Sequence, residues 1–242
     1  MVLNASRETP DVYDPVGLLT PITSRLKLDF HDLCLEDLDW DDDMPDSYLE
    51  KWILYLNGIQ LIKELKFCCT TTLPGASPME FELIISSDAS KSIAVVSVHT
   101  RVPLTSGEFS CQLLTAKNKI VCYNTVPRAE LRAAVMSASL AHFVQFHLRD
   151  QVSDSVYVPD STVVLRWLNY DKRPLGTAVR NLVVEILRLS DIKQWHPGEK
   201  KFGMKRMRVR SLVVVYREAE LDLYQILEQA AQHVPLSPDS DL

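Results

Sequence analysis

No apolar run in this sequence approaches the roughly 20 residues needed to cross a bilayer. The opening segment, MVLNASRETPDVYDP, lacks the basic and apolar regions of a secretion signal. No membrane partner is expected, and the expected location is intracellular, cytoplasmic or nuclear. Cysteine is scarce, with 5 residues, an odd count. Cys68 and Cys69 are adjacent rather than spaced as CxxC, which argues against a disulfide framework or a tetrahedral zinc site and for reduced thiols. Internal repeats are absent as well.

What is present is an ordinary globular composition, 46% hydrophobic and 24% charged over 242 residues, enough for one sizeable core with an appendage. The net charge of -6 argues against holding nucleic acid by global electrostatics alone. Part of that charge sits in one run, Asp37 to Asp46 (DLDWDDDMPD), which water can solvate far from any site.

Hydrophobic spacing divides the chain. Ile22, Leu26, Phe30, Leu33 and Leu38 fall near helical spacing, and Asp46 or Ser47 can cap a second helix running to about Leu56. The cluster LPGASP (Leu73 to Pro78) marks a boundary. Beyond it, Met79–Ser86, Ser92–Thr100 and Ser110–Ala116 read as strands joined by antiparallel connections. Pro127 opens a long helix to about Leu148, in which apolar residues recur at Leu131, Ala134, Val135, Ala138, Ala141 and Val144. A strand over Ser155–Val158, helices over Ser161–Leu168 and Thr177–Leu189, and a short strand over Ile192–Trp195 complete an α/β order that fits a mixed sheet covered by helices.

Three carboxylates sit where element ends can deliver them to one place. Asp88 closes the first strand, Glu130 falls in the first turn of the long helix, and Asp160 follows the fourth strand. Magnesium prefers oxygen donors, so clustered Asp and Glu suit a two-cation phosphodiesterase with its ions about 3.5 to 4 Å apart. A structural account stands beside this one: Glu130 favoured by the helix dipole, and Asp160 as a helix N-cap.

The words around these residues, SDAS (Ser87 to Ser90), PRAEL (Pro127 to Leu131) and DSTVVLRWL (Asp160 to Leu168), resemble the ribonuclease H region of Bel/Pao retrotransposon polyproteins. YDPVGLLTPITSRLKL (Tyr13 to Leu28) and LDWDDDMP (Leu38 to Pro45) look like the segment joining a reverse transcriptase to that region. The resemblance runs from about Tyr13 to Glu199. It implies a ribonuclease H-like five-stranded mixed sheet flanked by helices, with a helical N-terminal segment. The implied divisions are residues 1–75 as a connection following a reverse transcriptase, 76–199 as the ribonuclease H-like domain and 200–242 as a divergent basic tail.

By motif match the resemblance makes Asp88, Glu130 and Asp160 the catalytic, metal-holding residues, with Mg2+ as cofactor and Mn2+ able to substitute. It implies cleavage of the RNA strand of an RNA-DNA hybrid beside the reverse transcriptase region of a parent polyprotein. Ser161, Thr162, Lys117, Arg128, Lys172 and Arg173 are candidate nucleic-acid contacts. The sequence also departs from the family. Where a further metal-site aspartate is expected, in a word resembling HVPGxxNPADxxSRG, the chain reads WHPGEKKFGMKRMRVRS (Trp195 to Ser211). Glu199 or Glu218 would have to replace it. Lys200, Lys201, Lys205, Arg206, Arg208 and Arg210 form a basic stretch beyond.

Two other functions stay open at this point. A non-catalytic nucleic-acid-binding remnant fits the missing carboxylate. An aspartic peptidase fits a name under which this region has been grouped, but neither Asp88-Ala89-Ser90 nor Asp160-Ser161-Thr162 has the glycine of a D-S/T-G turn. The polymerase word YxDD is absent.

Overall fold

The computed structural model describes residues 14, 16–17, 19–36, 38–39, 42–62, 80–103, 109–123, 125–149, 151–169 and 175–197. The chain divides into two compact units.

The first unit holds two helices, α1 (Thr20–Leu33, from Pro21 on) and α2 (Asp46–Ile62). They are pinned by a buried carboxylate. The Tyr55 hydroxyl donates to Asp29 Oδ2 at 2.6 Å, and Arg25 and Lys51 approach the same carboxylate at 3.4 and 3.8 Å. A buried charge is tolerable only when so paired. Burial and the bond to Asp29 push the Tyr55 hydroxyl well up, so it stays a donor.

The second unit is built on a four-stranded sheet of β1 (Phe81–Ala89), β2 (Ile93–Pro103), β3 (Phe109–Ile120) and β4 (Val152–Pro159), in the order β3-β2-β1-β4. β1 pairs antiparallel with β2 and parallel with β4, and β2 pairs antiparallel with β3. A parallel neighbour needs a crossover. It is supplied by α3 (Val126–His147), with α4 (Thr162–Leu168) and α5 (Thr177–Leu189) following β4.

Alternation along β1 and β2 sends Leu83, Ile85, Val96 and Val98 into one core with Leu131, Ala134, Val135, Ala138, Ala141 and Val144 of α3 and Val183 and Ile186 of α5. The opposite register, Ile84, Val95, Ser97 and Val156, is buried as well. Strands buried on both faces explain the near-continuous apolar words LII and IAVV.

The expected strand over Ile192–Trp195 is corrected. Ile192–Gln194 form a 3-10 turn, because Asp191 accepts from the Lys193 N–H while the Gln194 side chain accepts from the Asp191 N–H, a reciprocal cap. Only Trp195 reaches the sheet, as a single parallel bridge to Tyr157, on whose ring it stacks at 4.5 Å. Among the described residues there are therefore four strands and this bridge in the place expected for a fifth.

Residues 14–20 group with the sheet. Asp14 accepts from the Gly17 and Leu19 N–H groups, and the Val16 carbonyl accepts from the Ala116 N–H at 2.7 Å. Among the described residues this short segment pairs with part of the outer edge of β3, the edge strand of the sheet. Gly17 has φ +81°, and a Cβ there would lie 2.0 Å from the Ala116 carbonyl oxygen. Glycine is required on both counts.

Candidate active site

β1 and β4 run parallel and end at the same edge, and their pairing continues one step past β4. The Asp160 N–H donates to the Ser87 carbonyl at 3.1 Å, which sets Asp160 beside Asp88 on the neighbouring strand. The carboxyl ends of parallel strands form a natural binding crevice in α/β folds.

α3 reaches the same place through small residues. Ala129 and Ala133 pack with Ala94 and Val121, with Ala89 against them, so the start of the helix lies on the ends of β1 and β2. Alanine lets the helix backbone come close. Glu130, next to Ala129, is carried with it and is half-buried.

Both structural readings of these carboxylates are corrected by the helix ends. α3 begins at Val126 after the N-cap Thr125, with no acidic residue in its first turn, so Glu130 belongs to the second turn. The N-cap of α4 is Ser161, not Asp160, and Ser161 makes no side-chain cap bond. Asp160 is exposed.

The electrostatics tie the three together. The Asp88 carboxyl is raised above its ordinary value, first by desolvation, then by the negative charges of Asp160 and Glu130, against a lowering hydrogen bond from the Ala89 N–H at 2.7 Å. Among the described residues no Lys, Arg or His forms an ion pair with any of the three. Carboxylates are hard oxygen donors, the type that magnesium prefers. Among the described residues no group of three or more His, Cys, Asp or Glu side chains is arranged so as to hold a metal ion.

The other sequence candidates scatter. Arg128 is exposed in the first turn of α3, Ser161 is buried and Thr162 exposed at the start of α4. Lys117 is elsewhere, its ammonium 5.8 Å from the Phe143 ring centre. Lys172, Arg173, Glu199, Glu218 and the basic stretch from Lys200 to Arg210 lie outside the described residues. Sequence reading missed Phe143, Phe146 and His147, which make a ring cluster on α3. The available signal was that Phe143 and Phe146 fall off the buried stripe. Among the described residues no helix is long and apolar enough to cross a membrane.

No curated protein matches the chain. Among solved structures, the N-terminal RNase H domain of rv2228c from Mycobacterium tuberculosis aligns at 14% identity and TM-score 0.35, covering 63% of this chain and 98% of that one. The PFV RNase H domain aligns at 15% identity and TM-score 0.35, covering 60% and 92%. The RNase H1 of the halophilic archaeon Halobacterium salinarum aligns at 13% identity and TM-score 0.30, covering 49% and 81%. The family described as Pao retrotransposon-like RNaseH-like domain matches residues 4–161, a span that holds Asp88, Glu130 and Asp160. The chain belongs to the Pao retrotransposon-like family and carries its RNase H-like domain.

Proposed function

We propose that this domain hydrolyses the RNA strand of RNA-DNA hybrids at a divalent-cation site made by Asp88, Glu130 and Asp160. The observation that carries the reading is the placement of Asp160 beside Asp88 at the shared end of β1 and β4, where the start of α3, which bears Glu130, packs on the strand ends. Asp88, half-buried at the strand end, and the exposed Asp160 would hold the cation together with Glu130. Glu130 stands on a helix fixed by Ala129 and Ala133, so its backbone does not have to reorganise when a cation arrives.

A bound magnesium supplies Lewis-acid stabilisation of phosphoryl charge and a more acidic water. The residues' part would be to remain ionised and so to hold the cation. The proton leaves to solvent or substrate phosphate, so none of the three is a proton shuttle. The domain acts beside the reverse transcriptase region of a parent polyprotein, which supplies the hybrid.

A second reading is favoured by one observation, the missing aspartate word after Trp195. In that reading the domain binds nucleic acid without cutting it. Incubating the protein with end-labelled RNA-DNA hybrid and Mg2+ or Mn2+ separates the two. The nuclease reading expects RNA-strand products that chelator and Asp88→Asn each abolish. Hybrid binding without products leaves the remnant reading in its place.

A further inference from the structure

The C-terminal half of α3 carries a feature that the carboxylate site does not use. Phe143 and Phe146 are 57% and 61% exposed, far from the usual fate of phenylalanine on a long buried helix. Their rings are not loose. The His147 ring lies 4.3 Å from Phe143 and 5.2 Å, edge to face, from Phe146. Its Nδ1 sits 2.8 Å from the Phe143 carbonyl; a carbonyl only accepts, so Nδ1 carries the proton and the ring orientation is fixed.

Cations flank this cluster. Lys117 reaches over Phe143 at 5.8 Å and Arg149 over Phe146 at 5.6 Å. From Leu131 to Arg149 the sequence contains no Asp or Glu, in a chain whose net charge is -6. Asp150 follows directly, so the cationic character of the patch rests on Lys117 and Arg149 over its rings.

We propose that Phe143, Phe146 and His147 form a stacking platform for unpaired bases of single-stranded nucleic acid, with Lys117 and Arg149 holding its phosphates. Fixed aromatic faces beside positive charge are what sequence-tolerant single-strand binding requires, because every base has a π-face and every linkage an anion. A duplex does not satisfy the rings, since its bases already stack on one another. An apolar protein partner would have to desolvate both cations. Phe143 lies 13 residues beyond Glu130 on one helix, roughly 20 Å at 1.5 Å per residue, so the platform is separate from the cleavage site. It rests on the nuclease reading only for its use, which is to hold a single-stranded extension of the hybrid.

The test is fluorescence anisotropy of a labelled oligo-dT with the full chain, in chelator so that cleavage plays no part. Phe143→Ala with Phe146→Ala is expected to weaken binding by tenfold or more. Phe143→Leu with Phe146→Leu, which keeps apolar area but removes the rings, is expected to weaken it equally, and the Trp pair to retain it. Lys117→Ala with Arg149→Ala is expected to weaken binding and flatten its salt dependence by about 1.4 in log-log slope, from two lost phosphate contacts. Far-UV circular dichroism confirms folding of each variant. Absence of oligo-dT binding by the wild type, or a Leu pair that binds as well as wild type, overturns the proposal. So does a wild-type dimer that the Ala pair dissociates while oligo-dT binding is unchanged, since the face then joins two copies. Asp88→Asn is expected to bind oligo-dT normally, so a failure of cleavage is read separately from a failure of the platform.

Discussion

Asp160 donates its backbone N–H to the Ser87 carbonyl at 3.1 Å, and through that bond the residue beyond β4 stands beside the Asp88 that ends β1. Two strands from distant parts of the sequence thereby share one acidic edge. The cost of that arrangement is visible in Asp88, whose carboxyl is raised by desolvation and by its neighbours' charges.

Asp88→Asn is therefore expected to stabilise the metal-free protein at neutral pH. A carboxyl whose folded pKa is raised contributes stability below its unfolded value of about 3.8 and loses that contribution as pH rises through the folded value. At pH 7 the wild type carries the full penalty and the Asn variant does not. A higher Tm of the Asn variant is expected by thermal melting at pH 7, the difference disappearing near pH 3.

His99 has the opposite sign. Burial on β2 lowers it to about 4, so the folded protein keeps it neutral. Its stability contribution is present above the unfolded value of about 6.5 and is lost as pH falls through 4. Melts from pH 7 to pH 4 are expected to show a progressive loss on the order of 2 to 3 kcal/mol, which His99→Gln largely flattens.

Gly17→Ala is expected to destabilise the sheet unit by about 1 to 3 kcal/mol in urea unfolding, because φ +81° and the Ala116 carbonyl leave no room for a Cβ. Asp14→Ala, which removes the acceptor for two N–H groups of the same turn, is expected to cost about 1 kcal/mol.

Trp195→Ala is expected to cost about 3 to 5 kcal/mol. Trp195 is buried, stacks on Tyr157 and donates its indole N–H to Ser190 Oγ at 2.9 Å. Trp195→Phe keeps the stack and loses the hydrogen bond, so it is expected to fall between the two in chemical denaturation.

Much of the fold was legible because periodicity carries it. The span of α5 read from sequence is the span observed, and Leu131, Ala134, Val135, Ala138, Ala141 and Val144 are the buried face of α3. The strands run longer than expected, since polar residues such as Arg101 and Lys119 still pair in the ladder. The reading of Ile192–Trp195 failed because four apolar-edged residues do not distinguish strand from turn; the Asp191 and Gln194 spacing of a capping box was the better signal.

At the site, the three carboxylates were legible as candidates, but their surroundings were not. One residue of helix boundary moved Glu130 out of the dipole's reach, and Ser161 took the cap that Asp160 was offered. The role of Ala129 and Ala133 in bringing α3 onto the strand ends depends on packing across the sheet, which no local pattern encodes.

Mn2+ titration followed by electron paramagnetic resonance tests most directly whether Asp88, Glu130 and Asp160 make one divalent-cation site. Asp88→Asn, Glu130→Gln and Asp160→Asn are each expected to weaken Mn2+ binding by about tenfold or more, with circular dichroism unchanged. Mn2+ affinity that none of the three substitutions alters would contradict the account.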